Sequence, residues 1–408
     1  MTATEASGRR FQVSRPVAFW GIALILSLML FASSAPSPLY VVYQSEWHFS
    51  AITLTSVFAS YAIALLATLV VAGSVSDHVG RRPALILALS IEIFAMVVFA
   101  DAHAVGWLFA GRILQGVATG IAMGTVSAAL LDLEPRGSDR LGAVVGVAAP
   151  LSGLATGALV TGILVQYGPS PTHLIYWMLV GAFVLALPFA ASIPETVSAR
   201  GSWLTGLRPR VSVPPDLRIA FVATIPCMVA VWALGGLVLS LGPSLTVSVL
   251  GNDNHLAGGL PIFVMAGISA IASVRLRDAH ARTTAQGGLA ALIAGVVVVL
   301  IALEAESTGL FLLGAAIAGL GFGPAFAGAF RALSTQAPQG ERAALVSAIL
   351  TVAYLAFSLP AVAAGAAVSQ IGLHETANIY GVALVVLAGL ALGLSRQLED
   401  PQSTLAPA

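Results

Sequence analysis

The chain contains no lysine; all 18 of its basic residues are arginine. A phosphate-binding loop of the form G-x-x-x-x-G-K-S/T is therefore impossible, and nothing supports an ATP-driven pump. Cysteine is almost absent as well. The single Cys227 lies in an apolar run, which excludes a disulfide framework and a cysteine-built metal site. No H-E-x-x-H pair and no G-x-S-x-G elbow occurs, so the common hydrolase signatures are missing, and no cofactor or metal is expected. Charge of either sign is scarce: 9% of 408 residues, against the roughly one quarter usual in water-soluble proteins. With a formal net charge of zero and no basic patch, nucleic acid is not an expected partner.

What is present is hydrophobic sequence, 58% of the chain, in recurring runs near the ~20 residues that cross a bilayer. The class is an all-α polytopic membrane protein. Twelve spans are expected, at about 17–42, 50–72, 83–101, 105–131, 141–166 and 173–193, then 218–248, 256–274, 285–304, 308–332, 342–369 and 376–395. The basic stretch before the first run (Arg9, Arg10, Arg15) reads as the flank of an uncleaved span, because the run is too long for a signal peptide.

With both termini in the cytoplasm, Arg81, Arg82, Arg136, Arg140, Arg200, Arg208, Arg210, Arg218, Arg275, Arg277, Arg282, Arg331, Arg342 and Arg396 all fall on the inner side with the three N-terminal arginines. None is left for the outer loops, and only Arg112 lies deep inside a span. A Pro- and Gly-containing basic linker divides the chain nearly in half. The expected organisation is a six-helix half over 1–195, a cytoplasmic linker over 196–217 and a second six-helix half over 218–408. The halves echo one another weakly. Asp77 and Arg81 recur 201 residues later as Asp278 and Arg282, but Gly73 and Gly80 become Val274 and Ala281. The second copy is expected to keep a structural role only.

The connection between spans two and three reads Gly73-Ser-Val-Ser-Asp77-His-Val-Gly80-Arg81-Arg82-Pro83. Gly80 permits a turn forbidden to side chains, the arginines hold the loop at the inner surface, and Pro83 suits a first helical turn. This G-x-x-x-D-x-x-G-R-R pattern resembles the signature loop of the major facilitator superfamily of secondary transporters. Pro194-Glu195-Thr196 after span six is similar to a segment found there in the same family. The resemblance implies a cluster of Asp77, Arg81 and Asp132 resting on the start of span eleven near Glu341. There the positive end of the helix dipole favours an anion, and the cluster would lock the halves when the carrier faces outward. Ordinary interfacial charges are the plainer reading.

Within the spans, Arg112 opens Arg112-Ile-Leu-Gln115-Gly116-Val-Ala-Thr119-Gly120, which resembles the R-x-x-Q-G element the family associates with proton coupling. An arginine inside the bilayer costs at least ~2.5 kcal/mol and must face protein or water. Helical spacing puts Gln115, Gly116, Thr119 and Gly120 on its face. Glu92 is the one carboxylate deep in a span. It is either the carrier of the coupled proton or a neutral structural acid. Counted at ~1.5 Å per residue from the inner ends of their spans, Glu92 stands about 14 Å and Arg112 about 28 Å above the cytoplasmic surface, too far apart for a direct ion pair. No histidine is deep in a span, so a histidine relay is not expected.

Span one carries Pro36 and Pro38 among Ser33, Ser34, Ser37, Tyr40 and Tyr43, the composition of a bent, cavity-lining helix. The resemblance places spans one, four, seven and ten around the pathway. Ser37, Tyr40, Gln115, Thr119, Trp232, Phe322 and Phe326 are then candidates to line a substrate cavity, although simple packing accounts for each of them too. Pro150 and Gly153 keep part of the G-P-x-x-G-G element of antiporters in that family.

The implied activity is alternating-access transport, as proton-coupled export of a small neutral or amphipathic compound by a monomer in the plasma membrane. Its partners would be the substrate, protons and the surrounding lipid bilayer. Proton-driven uptake is the alternative, and an integral-membrane enzyme or a non-transporting sensor are the readings from other classes.

Overall fold

The structure, a computed structural model, describes residues 12–73, 75–137, 141–197, 211–251, 254–338 and 341–397. Arg9, Arg10, Arg140, Arg200, Arg208 and Arg210 lie outside the described residues, as do Ser74 of the signature loop and linker residues 198–210. Among the described residues all regular structure is helical.

Twelve segments are long and apolar enough to cross a membrane: Arg15–Trp47, Ala51–Ala72, Arg81–Ala100, Val105–Asp132, Leu141–Tyr167 and Pro171–Ser192, then Pro215–Val249, Leu256–Arg275, Ala281–Glu304, Thr308–Ser334, Arg342–Ile371 and Leu373–Arg396. They are called spans one to twelve in that order. The largest departures from the expected limits are the end of span one and the start of span nine. Span one does not stop at its prolines. Ala35, between Ser34 and Pro36, keeps right-handed helical angles (φ −54°, ψ −40°), so the chain runs on to Trp47 with only its hydrogen-bond ladder interrupted.

Local chemistry sets several starts. The Ser50 hydroxyl accepts from the Thr53 amide at span two (3.3 Å), Asn254 Oδ1 accepts from Leu256 at span eight (2.9 Å), and the Ser307 hydroxyl accepts from Leu310 at span ten (3.4 Å). In the first half, span four packs on spans two and three, span three on span six, and span one on span five. In the second, span ten packs on spans eight and nine, span nine on span twelve, and span seven on span eleven.

The halves meet where span two lies along span eleven and span five along span eight. Small residues permit this approach, since helices in lipid associate by close packing and not by exclusion of water. A side chain at Gly365 of span eleven would run into the Thr55 hydroxyl and the Ala51 carbonyl of span two. One at Gly259 of span eight would strike the Ala158 carbonyl of span five. Ala51, Thr55 and Gly259 lie in the first two turns of their spans, away from the arginine-bearing loops. The molecule is therefore closed at its arginine-poor end, and further contact between the halves follows at mid-span through Phe58 and Phe357 (centroids 4.9 Å apart).

Candidate functional site

The centre of the first half is built on Arg112, which has no exposed surface. Its Nε donates to the Tyr40 hydroxyl (2.7 Å), and its Nη1 donates to the Ser33 carbonyl (2.8 Å) and to Gln115 Oε1 (2.8 Å). Both span-one acceptors flank the Pro36–Pro38 interruption, so the prolines that break the ladder also present the guanidinium with its partners. Gln115, one turn along span four, donates its Nε2 to Glu92 Oε1 (3.2 Å). The amide can take only this orientation, because its oxygen must face the guanidinium and its nitrogen the carboxyl group. The rings of Tyr40, Tyr61 and Phe58 surround the cation, with centroids 5.4, 5.4 and 6.0 Å from its central carbon.

Glu92 and Arg112 are thus not in contact but are joined through one side chain, which the heights counted from the cytoplasmic ends did not allow. The error has a simple source. Span four is 28 residues long and span three 20, and their unequal lengths accumulate at the inner side. Counted from the short turn the two spans share, Glu92 lies eight residues below Ala100 and Arg112 seven beyond Val105, at about the same depth. Glu92 is fully buried; among the described residues its Oε2 and Arg112 Nη2 have no hydrogen-bond partner.

The other cavity candidates divide by half. Ser37, Tyr40, Gln115 and Thr119 are fully or almost fully buried in the first half, and Tyr40 and Gln115 accept from Arg112. Trp232 and Phe326 meet across spans seven and ten (centroids 5.4 Å apart), whereas Phe322 packs against Gly235 of span seven. Tyr354 and Phe357 of span eleven, absent from the sequence candidates, complete the group around Trp232 at 4.9 and 5.8 Å. Phe58 and Tyr61 of span two were missed in the same way. The available signal was aromatic side chains three residues apart, 58 with 61 and 354 with 357, on one face of each helix.

At the arginine-bearing end, Arg81 pairs with Asp77 and donates its Nε to Asp132 Oδ2 (3.4 Å), so three expected members of the loop cluster come together. Two further residues complete the cluster. Glu195 accepts from the amides of Arg81 (2.8 Å) and Arg82 (3.0 Å), capping span three from the end of the neighbouring span six. The Thr196 hydroxyl donates to Asp132 Oδ2 (2.8 Å). Gly80 is required twice here: its φ is +102°, and a Cβ would come within 2.7 Å of Glu195 Oε2. Among the described residues, Asp77, Arg81 and Asp132 make their hydrogen bonds and ion pairs within the first half and not with the start of span eleven at Glu341 and Arg342. In the second half Asp278 pairs with Arg277 (3.1 Å) and Arg282 donates to the Arg396 carbonyl (3.0 Å). Among the described residues no cluster of metal-ligating side chains occurs.

Comparison with known proteins agrees with this architecture. A 122-residue stretch is 31% identical to the MFS-type transporter paaT of Penicillium rubens, a match covering 30% of this chain and 22% of that protein. Among solved structures, a nucleoside transporter NupG mutant superposes with a TM-score of 0.71 at 15% identity, covering 92% of this chain and 99% of that one. A POT family transporter in complex with 5-aminolevulinic acid reaches 0.74 at 14% identity, covering 95% and 96%. The human organic anion transporter MFSD10 reaches 0.66 at 15% identity, covering 93% and 100%. At these identities the structures share the fold alone. The family model of the Major Facilitator Superfamily matches residues 22–361, and the chain belongs to that family.

Proposed function

We propose that this multi-pass membrane protein is a proton-coupled exporter of small neutral or amphipathic organic compounds. It would act as a monomer in the plasma membrane with both termini in the cytoplasm. The observation that carries the coupling is the chain Glu92–Gln115–Arg112: a fully buried carboxyl group, bonded by one oxygen and leaving the other open to a proton. Without a proton, Glu92 balances the charge of Arg112. With one, the guanidinium stands uncompensated in a medium of low dielectric, where such a change weighs heavily. Arg112 is held by span one, span two rings and span four, so this change falls on helices that also face the second half through Phe58 and Phe357.

In this reading residues 1–195 and 218–408 rock about the centre, joined by the 196–217 linker. Closure at the arginine-poor end then corresponds to the inward-facing state, with the Asp77–Arg81–Asp132 cluster disengaged from span eleven. The aromatic group around Trp232 supports a neutral or amphipathic substrate, since it offers large apolar faces and no formal charge.

The test is reconstitution into liposomes with a pH gradient and a panel of neutral, cationic and anionic organic compounds, following substrate and proton together. Export predicts substrate and proton moving in opposite directions. Movement in the same direction would assign uptake instead, and substrate flux indifferent to the gradient would remove proton coupling.

A further inference from the structure

Trp232 stands at the middle of span seven (Pro215–Val249) with three rings set edge-on around its indole. Phe326 of span ten lies at 77° to it, and Tyr354 and Phe357 of span eleven at 61° and 78°. Phe357 in turn touches Phe58, whose ring lies 6.0 Å from the Arg112 guanidinium carbon. The indole Nε1–H at the heart of this box is buried and has no protein acceptor among the described residues. Nearby donors fare differently: the Tyr380 hydroxyl donates to the Ala233 carbonyl (2.9 Å), one residue along span seven. A buried N–H without a protein partner is costly, so it marks a place where a ligand acceptor would be favoured. Trp232 and Phe326 nevertheless keep part of their surface uncovered.

We propose that the Trp232 box is a ligand subsite for a planar aromatic group bearing an uncharged hydrogen-bond acceptor, such as a ring nitrogen or a carbonyl. The acceptor would meet the indole N–H, and the ring would join the edge-to-face packing. Charge is selected against. Trp232, Phe326, Tyr354, Phe357 and Phe58 supply no counter-ion for a desolvated ion, and the nearby fixed charge, Arg112, repels cations. The proposal rests on the transport reading for there being a ligand at all, but not on proton coupling.

Binding can therefore be measured without a gradient. Quinoline and naphthalene have the same shape and differ in one ring nitrogen. Both are titrated, at matched free concentration and at a pH where quinoline is neutral, into detergent-solubilised protein with isotope-labelled indole N–H groups. The Trp232 signal, one of six tryptophans, is identified by its loss in Trp232→Phe. Quinoline should shift that signal and bind about tenfold more tightly than naphthalene, as for one hydrogen bond gained by a buried donor. In Trp232→Phe both should bind with equal affinity, since the rings remain and the donor is gone. Equal affinities in the unaltered protein, a preference that survives Trp232→Phe, an unmoved Trp232 signal, or no binding of either compound would each overturn the subsite. Failure of gradient-driven export would overturn the coupling and leave this result untouched.

Discussion

Arg112 is stabilised in the bilayer interior by an arrangement that no single partner could supply. Three hydrogen bonds and three ring faces offset its desolvation, and Gln115 links it to the Glu92 carboxyl group. The consequence is a distinction between three substitutions. Glu92→Gln keeps the shape and the bond to Gln115 while removing the proton site. It should abolish gradient-driven accumulation in proteoliposomes yet leave substrate exchange, which needs no net proton transfer. If Glu92 is instead a permanently neutral acid, the same variant will accumulate substrate normally. Arg112→Gln should be the most damaging, losing transport and about 3–5 kcal/mol of stability, because Tyr40, Ser33 and Gln115 all lose their donor. Gln115→Leu leaves both charged partners in place and cuts the connection. It should weaken the dependence of transport on the pH gradient more than it weakens exchange, measured in the same vesicles.

Individual helices are placed by residues far away in sequence. Span three begins at Arg81 without a cap of its own, and Glu195, from the far side of span six, closes its first two amides. Glu195→Ala should lower the resistance of the purified protein to thermal unfolding by about 0.5–2 kcal/mol, the range of a lost cap. Gly80→Ala should cost about 1–3 kcal/mol, since it combines a strained φ with a collision at the same carboxylate. A normal unfolding profile for Glu195→Ala would mean that the contact contributes nothing. Asp77→Asn acts differently. Asp77 is half exposed and, among the described residues, pairs with Arg81 alone, so the substitution should leave stability nearly unchanged. It should slow transport if the aspartate engages span eleven in the opposite state, as turnover in vesicles will reveal.

For the whole molecule the arrangement of charge and the line of closure make two predictions. The native Cys227 is buried and provides a quiet background for labelling. Cysteines introduced at Ser170 and Gly251 should react with impermeant reagents from outside intact cells, and one at Gly137 should react only after permeabilisation. The reverse pattern would invert the orientation. Gly365→Leu should force spans two and eleven apart at the arginine-poor end, because no side chain fits between Gly365 and Ala51. A second cysteine at the buried Ser37 should then become reactive from that end, with transport reduced at least tenfold, as expected when a two-state carrier loses one state.

Hydrophobic run length and the one-sided placement of arginine determine on their own that the chain is a twelve-span membrane protein. Both follow from a solvent that admits few charges and demands complete backbone hydrogen bonding. Arg112, Glu92 and the loop residues were legible for the same reason: a polar group in an apolar run is conspicuous and costly. The family was legible in two short motifs and appears again in the match to residues 22–361. Which polar groups meet was not legible. Whether Glu92 lies beside Arg112 depends on which end of two unequal helices is held in common, and periodicity carries no information about that. The aromatic neighbours Tyr61, Tyr354 and Phe357 look like ordinary apolar content until separate spans bring them to one point. Glu195 reads as the last residue of the first half, in the Pro194-Glu195-Thr196 segment, and only the packing of span six on span three makes it a cap. Sequence decides what each helix must hide from lipid; the tertiary structure decides which hidden groups find one another, because contact depends on the relative height and rotation of helices far apart in the chain.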